Sequence, residues 1–405
     1  MKFSTEFLNL VHDNADTWNI IKNISLIKNN DDAFYFCDLN DVVQKLCYWQ
    51  ELMPNIQPFY AVKCNDDEYI IKVLAALGLG FHCCSTSSLK KVVSHQIESN
   101  RIIFANTTKP ISFIQNAFEN GVDLMTFDSK AELYKIKHIF PNARLVLRIT
   151  YKAKALVELG RKFGCDAYTE APKLLEIGRD LGLNIVGVSF HVGHGSQNID
   201  AYYQSIKLAR VVFDAAKSLG IDLNLLDIGG GFSGHTEDLK KCAVVINSAI
   251  EQFFPEKNIK IISEPGTYFV ETAFKLVCNV HSLRDTLNKN GKKKFHYYLN
   301  DSIYGGFSNL FTTSLTRIPR TIKDHGNSPR YPSHVWGITN DSLDQINKNI
   351  LLPELQIGEW LVYDDMGHYS LPCYSQFGGI EVPKIFRFIS HSNWNLISGS
   401  SWFKT

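Results

Sequence analysis

Short apolar runs alternate with longer amphipathic segments from residue 59 to residue 265. The apolar runs predict eight β-strands, at 59–63, 80–84, 101–106, 123–127, 144–150, 185–193, 223–230 and 259–265. The segments between them predict helices, among them 111–120, 171–183, 202–219 and 237–254. Strands that alternate with helices form a parallel sheet through right-handed crossovers. Eight such units predict a (β/α)8 TIM barrel, an α/β fold, over residues 45–270, and a doubly wound open sheet is the alternative.

The alternation of strands and helices stops near residue 271. Strand patterns follow at 274–280, 294–299, 359–363 and 383–388, with few helical segments between them. They predict a second, mostly antiparallel β-sheet domain. Within it, the polar run 285–294 predicts an exposed hairpin, and 313–333 predicts a long irregular connection. A strand at 33–38 and a helix at 39–53 precede the barrel.

Composition narrows the class of protein. The chain has 45% hydrophobic and 20% charged residues and a formal net charge of +1, so neither a nucleic acid nor a membrane surface is expected as a partner. Its nine cysteines lack the spacing of a zinc site. No stretch has the character of a signal peptide or a membrane span. A cytoplasmic enzyme or binding protein with reduced cysteines and no metal fits these features.

Candidate catalytic residues recur where the predicted barrel strands end, which is where TIM barrels carry their chemistry. Lys63 ends the first strand, Arg148 ends the fifth, and His191 lies at the end of the sixth. A carboxylate, Glu264, ends the eighth. Taken singly, a lysine at a strand end is usually solvated and a histidine there is usually structural. Together they form a set of groups at one end of the barrel.

A glycine run supplies the element that binds an anion. Gly229, Gly230 and Gly231 follow the seventh strand, and backbone N–H groups of such a run can point at a phosphate without interference from a Cβ. With Gly234 they also match the dinucleotide pattern, which is a weak signal here, and a tight turn without a ligand is the other interpretation. Tyr369 could donate to a phosphate. Lysine, glycine run, carboxylate and histidine together predict a pyridoxal 5'-phosphate site.

The chain resembles the eukaryotic ornithine decarboxylases of the alanine-racemase-like pyridoxal-phosphate enzymes. The stretches that carry the resemblance are 58–65, 101–106, 125–129, 189–193, 227–232, 264–266, 298–305, 357–360 and 366–367. The resemblance implies a TIM barrel over 45–270, a β-sheet domain made of 1–44 plus 271–405, and a homodimer with shared active sites.

The resemblance also implies roles for individual residues. Lys63 would form the Schiff base with the cofactor, His191 would stack on its ring, and Glu264 would pair with the pyridine nitrogen. The remaining implied cofactor contacts are Arg148, His194, the glycine run Gly229–Gly231 and Tyr369. Asn340 and Asp341 would lie at the catalytic centre, and Tyr304, Thr312 and Thr313 would join Asp341 around the amino-acid substrate. Lys162 and Asp344 match a pair that bridges the subunits.

Several positions depart from the family pattern. The arginine that clamps the phosphate is Thr267 here, and a phosphate-binding serine is His194. An aspartate and a glutamate that follow the second strand are His82 and Ser88. The tyrosine and the aspartate of the substrate pocket fall on Thr312 and Thr313, and the catalytic cysteine is Asn340.

Two hypotheses from different classes follow. In the first, the chain is a decarboxylase of the ornithine type, which makes putrescine for polyamine biosynthesis, with an altered substrate or rate. In the second, it is a catalytically silent paralogue that binds antizyme, as the antizyme inhibitors of the family do. The segment 111–134 corresponds to the antizyme-contacting region of the family. Retention of the cofactor residues favours the enzyme.

Overall fold

The computed structural model describes residues 3–27, 31–151, 162–193, 199–287, 291–311 and 316–403. The strands in these ranges are β1 (Asn9–Val11), β2 (Phe34–Asp38), β3 (Ile56–Ala61), β4 (Gly80–Cys83), β5 (Ile102–Phe104), β6 (Leu124–Phe127), β7 (Arg144–Arg148), β8 (Asn184–Ser189), β9 (Leu225–Asp227), β10 (Lys260–Ser263), β11 (Phe274–Leu287), β12 (Lys293–Leu299), β13 (Arg320–Thr321), β14 (Arg330–Trp336), β15 (Gln345–Pro353), β16 (Trp360–Tyr363) and β17 (Lys384–Ser390). The α-helices are α1 (Thr17–Ser25), α2 (Leu39–Leu52), α3 (Glu68–Ala76), α4 (Thr86–Ser94), α5 (Ile111–Glu119), α6 (Lys130–Ile139), α7 (Ala171–Asp180), α8 (Asp200–Ser218), α9 (Thr236–Phe253), α10 (Thr267–Val270) and α11 (His391–Ile397).

These elements form two compact units. One comprises Met1–Val42 and Val270–Gly399, and the other comprises Val43–Phe269 and Ser400–Thr405. We call the first the sheet unit and the second the barrel unit. In the part of the chain that the structure describes, no helix is long and apolar enough to cross a membrane.

The barrel unit is a closed parallel barrel with the strand order β10-β3-β4-β5-β6-β7-β8-β9. The predicted TIM barrel is therefore confirmed, and all eight predicted strands are present. Strand β3 and strands β5 to β10 contribute side chains, among them Phe59, Ile103, Val146 and Leu225, to one buried cluster. Because such strands are covered on both faces, their sequences are mostly apolar, and short apolar runs therefore located them.

Short turns between strands and helices keep the carboxyl ends of the strands at one edge. Asp67 caps α3 by accepting hydrogen bonds from the backbone N–H groups of Tyr69 and Ile70. Ser85 caps α4 in a reciprocal capping box with Ser88, and Ser129 caps α6. Capping residues that follow a strand by only a few positions end the strand and start the next helix. The side chains at the strand ends are thus placed by rigid elements.

The sheet unit has the order β1-β17-β2-β11-β12-β14-β15, with β16 pairing to β11 and β13. The pairs β2–β11, β11–β12, β11–β16, β13–β16 and β14–β15 are antiparallel, whereas β1–β17, β2–β17 and β12–β14 are parallel. The prediction of a mostly antiparallel sheet domain is confirmed. N-terminal strands β1 and β2 belong to this sheet.

Strand prediction in this unit was incomplete. The irregular connection predicted at 313–333 contains β13 and the start of β14, and β15 was not predicted. The register of the β14–β15 pair shifts twice, between Ser333 and Val335 and between Val335 and Trp336, and Asn349 adopts a positive φ of 56°. Such irregularities break the alternation of buried and exposed positions by which a strand is found in a sequence.

An aromatic core holds the sheet unit together. Phe36 stacks on Phe388 with ring centroids 4.9 Å apart, and Phe34 meets Phe386 edge-on at 5.5 Å. Ile21 and Ile24 of α1 are fully buried against this cluster. Removal of one such ring would cost about 3–5 kcal/mol, so the aromatic residues of β2 and β17 account for much of the binding of the N-terminal segment.

Candidate active site

Five charged or titratable side chains meet at the carboxyl ends of the barrel strands. They are Lys63 directly after β3, His82 in β4, Arg148 at the end of β7, His191 after β8 and Glu264 after β10. These groups lie close enough to affect one another's ionisation. The charges of Lys63, His82 and Arg148 all shift the pKa of both Glu264 and His191. The structure thus brings four of the predicted site residues together, with His82 as a fifth member.

Lys63 lies in a single 3-10 turn, Val62–Cys64, just beyond the end of β3 rather than at its tip. Its neighbours Val62 and Cys64 are fully buried, while the lysine side chain is exposed. Tyr60 secures the turn by donating its hydroxyl to the carbonyl of Asn65 at 2.7 Å. A lysine on a fixed backbone with an accessible amine is suited to form a covalent bond with an aldehyde.

Glu264 is a buried carboxylate with two differently placed oxygens. Oε2 lies 3.0 Å from Nδ1 of His82, and both side chains are less than a tenth exposed. Oε1 is also buried and accepts no hydrogen bond of ordinary geometry from any described residue. Burial alone would raise the pKa of Glu264, but His82, and then Lys63 and Arg148, outweigh it and lower the pKa. Glu264 is therefore ionised.

A second carboxyl group, Asp227 at the end of β9, lies beside Glu264. It is fully buried, and its Oδ1 accepts a hydrogen bond from the Gly229 N–H at 2.9 Å. Burial and then the negative charge of Glu264 raise the pKa of Asp227 well above its usual range. Two adjacent buried carboxyl groups cannot both ionise cheaply. Asp227 therefore holds a proton while Glu264 carries the charge.

His191 is neutral in this environment. Its Nδ1 accepts a hydrogen bond from the Gly193 N–H at 3.0 Å, which leaves the proton on Nε2. Burial, followed by the positive charges of Arg148 and Lys63, lowers the pKa of His191 well below its usual range. A neutral ring fixed in this way offers a flat face without a cationic charge.

The glycine run after β9 is required by the barrel itself. Gly229 and Gly231 have φ values of +66° and +112°, and a Cβ at Gly229 would overlap the carbonyl oxygen of Phe190. The N–H groups of Gly230 and Gly231 donate to no residue in the described ranges. Backbone donors in a turn without side chains suit an oxyanion such as a phosphate.

Arg148 and Lys162 both approach the ring of Phe163. The guanidinium carbon of Arg148 lies 5.3 Å from the ring centroid, and Nζ of Lys162 lies 4.9 Å from it. Burial lowers the pKa of Arg148, although nearby carboxylates oppose the shift. Lys162 is exposed.

In the sheet unit, two residues predicted to face the substrate form a pair. The hydroxyl of Tyr304 donates to Oδ2 of Asp341, and the N–H of Leu343 donates to Oδ1 at 3.0 Å. The bond from Tyr304 lowers the pKa of Asp341 and raises that of Tyr304. Asn340 is exposed in the same loop. Asp341 is thus an ionised carboxylate that its loop holds in place.

Asp344 and Tyr369, also in the sheet unit, occupy constrained positions. Asp344 is only 1% exposed and accepts hydrogen bonds from the backbone of Ile303 and from the backbone and hydroxyl of Thr339. Its carboxylate is therefore already used within the chain, and its pairing with Lys162 of a second subunit stays a prediction. Tyr369 has a positive φ of 50°, which is strained for a non-glycine residue and is typical of functional loops.

Three predicted site residues, His194, Thr312 and Thr313, lie outside the described ranges. Three groups that the structure adds are His82, Asp227 and Cys84. A hydrogen bond and the charge of His82 outweigh the effect of burial and lower the pKa of Cys84. Each is at or next to a strand end, and that position was the signal available in the sequence.

The residues fit pyridoxal phosphate. The exposed amine of Lys63, the buried Oε1 of Glu264 and the N–H groups of Gly230 and Gly231, the last three without a hydrogen-bond partner of ordinary geometry among the described residues, are the donors and acceptors that its aldehyde, ring nitrogen and phosphate need. A TIM barrel that carries such a set at its carboxyl edge is a fold of pyridoxal-phosphate enzymes.

Comparison with known proteins identifies the family. The pyridoxal binding domain of the pyridoxal-dependent decarboxylases matches residues 39–271. Ornithine decarboxylase 2 of Drosophila melanogaster is 41% identical over 362 residues, or 88% of this chain and 92% of that protein. Mouse ornithine decarboxylase is 38% identical, covering 90% of this chain and 82% of that protein. Antizyme inhibitor 2 of Xenopus laevis is 41% identical over 93% of this chain and 85% of that protein.

Solved structures give the same result. The arginine decarboxylase of Paramecium bursaria Chlorella virus superimposes with a TM-score of 0.87 at 35% identity, covering 92% of this chain and all of that one. A lysine decarboxylase from Selenomonas ruminantium gives 0.82 at 28% identity, covering 94% and 97%. The chain belongs to the pyridoxal-dependent decarboxylase family. It is a decarboxylase with pyridoxal phosphate as its cofactor.

Proposed function

We propose that this chain decarboxylates a small amino acid with a basic side chain, as ornithine decarboxylases do, and that its turnover of ornithine is lower than theirs. The observation that carries the proposal is the exposed Lys63 beside an ionised Glu264 and a neutral His191 at the carboxyl edge of the barrel. This arrangement gives no advantage to a protein that binds no cofactor, because a buried ionised carboxylate is costly.

Each residue has a task in the reaction. Pyridoxal phosphate supplies an electron sink for the bond that breaks. Lys63 holds the cofactor covalently and, when displaced by the substrate amine, can carry a proton. Glu264 keeps a negative charge at the ring nitrogen, and the neutral His191 covers the ring and excludes water. The N–H groups of Gly230 and Gly231 bind the phosphate.

The atoms of the reaction balance simply. The bond between Cα and the carboxylate breaks, carbon dioxide leaves, and one proton from the protein or solvent adds to Cα to give an amine. An asparagine amide such as that of Asn340 is a poor proton donor. Lys63 has an exchangeable proton and, in this proposal, a covalent bond to the cofactor aldehyde, so we assign it the proton transfer.

Two departures from the family weaken binding in this proposal. Thr267 replaces an arginine of the related enzymes, and the loss of one charge-assisted phosphate contact costs about 1.5–3 kcal/mol, or about tenfold to a hundredfold in cofactor affinity. Thr313 replaces an aspartate that would neutralise a distal ammonium. Asp341, held ionised by Tyr304, is the acidic group that remains for a basic substrate.

The experiment measures carbon dioxide release from ornithine, lysine, arginine and neutral amino acids. We expect slow turnover of ornithine and a gain with Thr313→Asp. Lys63→Ala should abolish release, whereas Lys90→Ala, which changes an exposed lysine of α4, should not. Borohydride should fix the cofactor to Lys63 in the wild type. Ordinary ornithine turnover would contradict the altered pocket, and no release from any amino acid would contradict the enzymatic function.

A second candidate function is that of a catalytically silent, antizyme-inhibitor-like paralogue, which regulates polyamine synthesis by binding antizyme. The supporting observation is a group of exposed apolar side chains in the predicted contact segment: Ile111 and Phe118 of α5 and Tyr134 of α6 are 64%, 50% and 49% exposed. Ile111 and Phe118 are seven residues apart and so lie on one face of α5, and exposed apolar side chains on one face can mark a partner site. Antizyme binding that is lost in Phe118→Ser, in a protein that releases no carbon dioxide, would favour this candidate over the enzyme.

A further inference from the structure

The contact between His82 and Glu264 has a fixed geometry. Nδ1 of His82 lies 3.0 Å from Oε2 of Glu264, with exposures of 4% and 7% for the two side chains. His82 belongs to β4, Glu264 follows β10, and β3 pairs with both strands. The contact therefore spans one strand of the closed barrel at its carboxyl edge. Strands of a barrel place side chains more accurately than loops do.

The charged and titratable groups that face His82 explain its ionisation. They are Glu264, Lys63, His191 and, directly after its own strand, Cys84. Burial by itself would lower the pKa of His82, and Lys63 acts in the same direction, but the Glu264 carboxylate and a hydrogen bond with Cys84 outweigh both and raise the pKa. His82 and Glu264 therefore form an imidazolium–carboxylate pair.

The pair determines which oxygen of Glu264 can meet the cofactor. Oε2 forms the ion-pair contact with His82 at 3.0 Å, whereas Oε1 is buried, lies in no ion pair and accepts no hydrogen bond of ordinary geometry from a described residue. A buried carboxylate without a cation beside it tends to take up a proton. Asp227 shows this tendency, since burial and the charge of Glu264 raise its pKa. Arg148 lowers the pKa of both carboxyl groups, whereas the pKa of Glu264 is lowered most strongly by His82 and then by Lys63.

We propose that His82 is a positioning residue for Glu264: its imidazolium binds Oε2, keeps the carboxylate ionised and directs Oε1 to the ring nitrogen of pyridoxal phosphate. The inference rests on the proposed role of Glu264 and deepens it. His82 touches neither the substrate nor the bond that breaks, and it acts only through the charge and orientation of its partner.

The first experiment measures pyridoxal-phosphate affinity by quenching of intrinsic fluorescence. His82→Leu removes the ion-pair partner of Oε2, and we expect affinity to fall about tenfold to a hundredfold, because a buried charged group is left without its polar partner. His82→Asn keeps a donor but not the charge and should recover part of the loss. His95→Asn, which changes a histidine at the end of α4, is the matched control and should bind like the wild type.

The second experiment needs no cofactor. In cofactor-free protein, the difference in unfolding midpoint between wild type and His82→Asn is measured against pH. A histidine whose folded pKa is raised stabilises the protein below its unfolded pKa of about 6.5, and that stabilisation is lost as pH rises through the folded pKa. We expect the difference to be largest below about pH 6.5 and to shrink at alkaline pH. His95→Asn should not show this pattern.

The outcomes distinguish the ion pair between His82 and Glu264 from the positioning role of His82. A pH-independent difference would overturn the ion pair, and unchanged affinity in both His82 variants would overturn the positioning role. If His82→Leu fails to fold, His82→Asn alone decides both points. A wild type that binds no pyridoxal phosphate but shows the expected pH dependence would refute the proposed cofactor role of Glu264 and confirm its pairing with His82.

Discussion

Asp301 gives the sharpest test of how burial controls charge in the sheet unit. The residue is completely buried, and its Oδ1 accepts hydrogen bonds from the N–H groups of Ser302 at 2.7 Å and Gly306 at 3.0 Å. Oδ2 is buried too and accepts none from a described residue. Burial raises the pKa of Asp301 to about 7, even though the two backbone donors oppose the shift.

The pH dependence of stability follows from this shift in pKa. The folded pKa lies about three units above the usual value, and each unit corresponds to about 1.4 kcal/mol. Because the unfolded chain releases this proton at lower pH than the folded protein does, stability decreases as pH rises from about 4 to about 7, by about 4 kcal/mol in total. Between about pH 5 and about pH 8 the decrease is about 2–3 kcal/mol.

Asp301→Asn removes the titration and keeps an oxygen to accept both backbone bonds. When the pH is raised from about 5 to about 8, the free energy of unfolding of the variant should rise by about 2–3 kcal/mol relative to that of the wild type, as measured by urea denaturation at both pH values. Ser302→Ala is the control, because it removes a hydroxyl that accepts from Tyr304 and Gly305 but no titratable group. Its effect should be the same at both pH values. Equal pH dependence of wild type and Asp301→Asn would refute the reasoning.

Three further predictions concern the site and the assembly. Lys63→Ala should change the free energy of unfolding by less than about 0.5 kcal/mol, because the side chain is exposed. A large loss of stability in urea denaturation would contradict the exposed position of Lys63. Cys84 should react with iodoacetamide faster than Cys83, because His82 lowers the pKa of Cys84 despite burial and burial raises the pKa of Cys83. Peptide mass spectrometry measures the labelling of both thiols, and equal labelling would count against the His82–Cys84 contact. If Lys162 bridges a homodimer, Lys162→Ala should dissociate at higher protein concentration in sedimentation experiments, and an unchanged equilibrium would reject the pair.

The barrel could be predicted from the sequence because its strands are buried on both faces. Runs such as Leu124–Phe127 are buried throughout and mostly apolar, and polar capping residues such as Asp67 and Ser129 mark where helices begin. Strand ends were less certain. The strand predicted at 185–193 ends at Ser189, because the chain beyond it turns through Gly193, which has a φ of 93°.

Strands β14 and β15 show what periodicity cannot detect. Both are partly exposed, and bulges interrupt the alternation on which the prediction depends. In the site, Lys63, His191 and Glu264 could be recognised because each follows an apolar run. The pairing of His82 with Glu264 could not be, since it depends on the register of two strands that meet only through β3. The protonation of Asp227 depends on the same three-dimensional proximity.

The sheet unit has a consequence for biosynthesis. β2 lies between β11 and β17, so its two neighbours come from distant parts of the chain, and Asn9 donates its side-chain amide to the carbonyl of Arg387. During translation the barrel strands emerge as a continuous set and can close once β10 is complete. β2 has no parallel neighbour until the ribosome has added Lys384–Ser390. The aromatic face of β2 must therefore wait through most of synthesis, and an unpaired strand edge of this kind is prone to aggregation until β17 pairs with it.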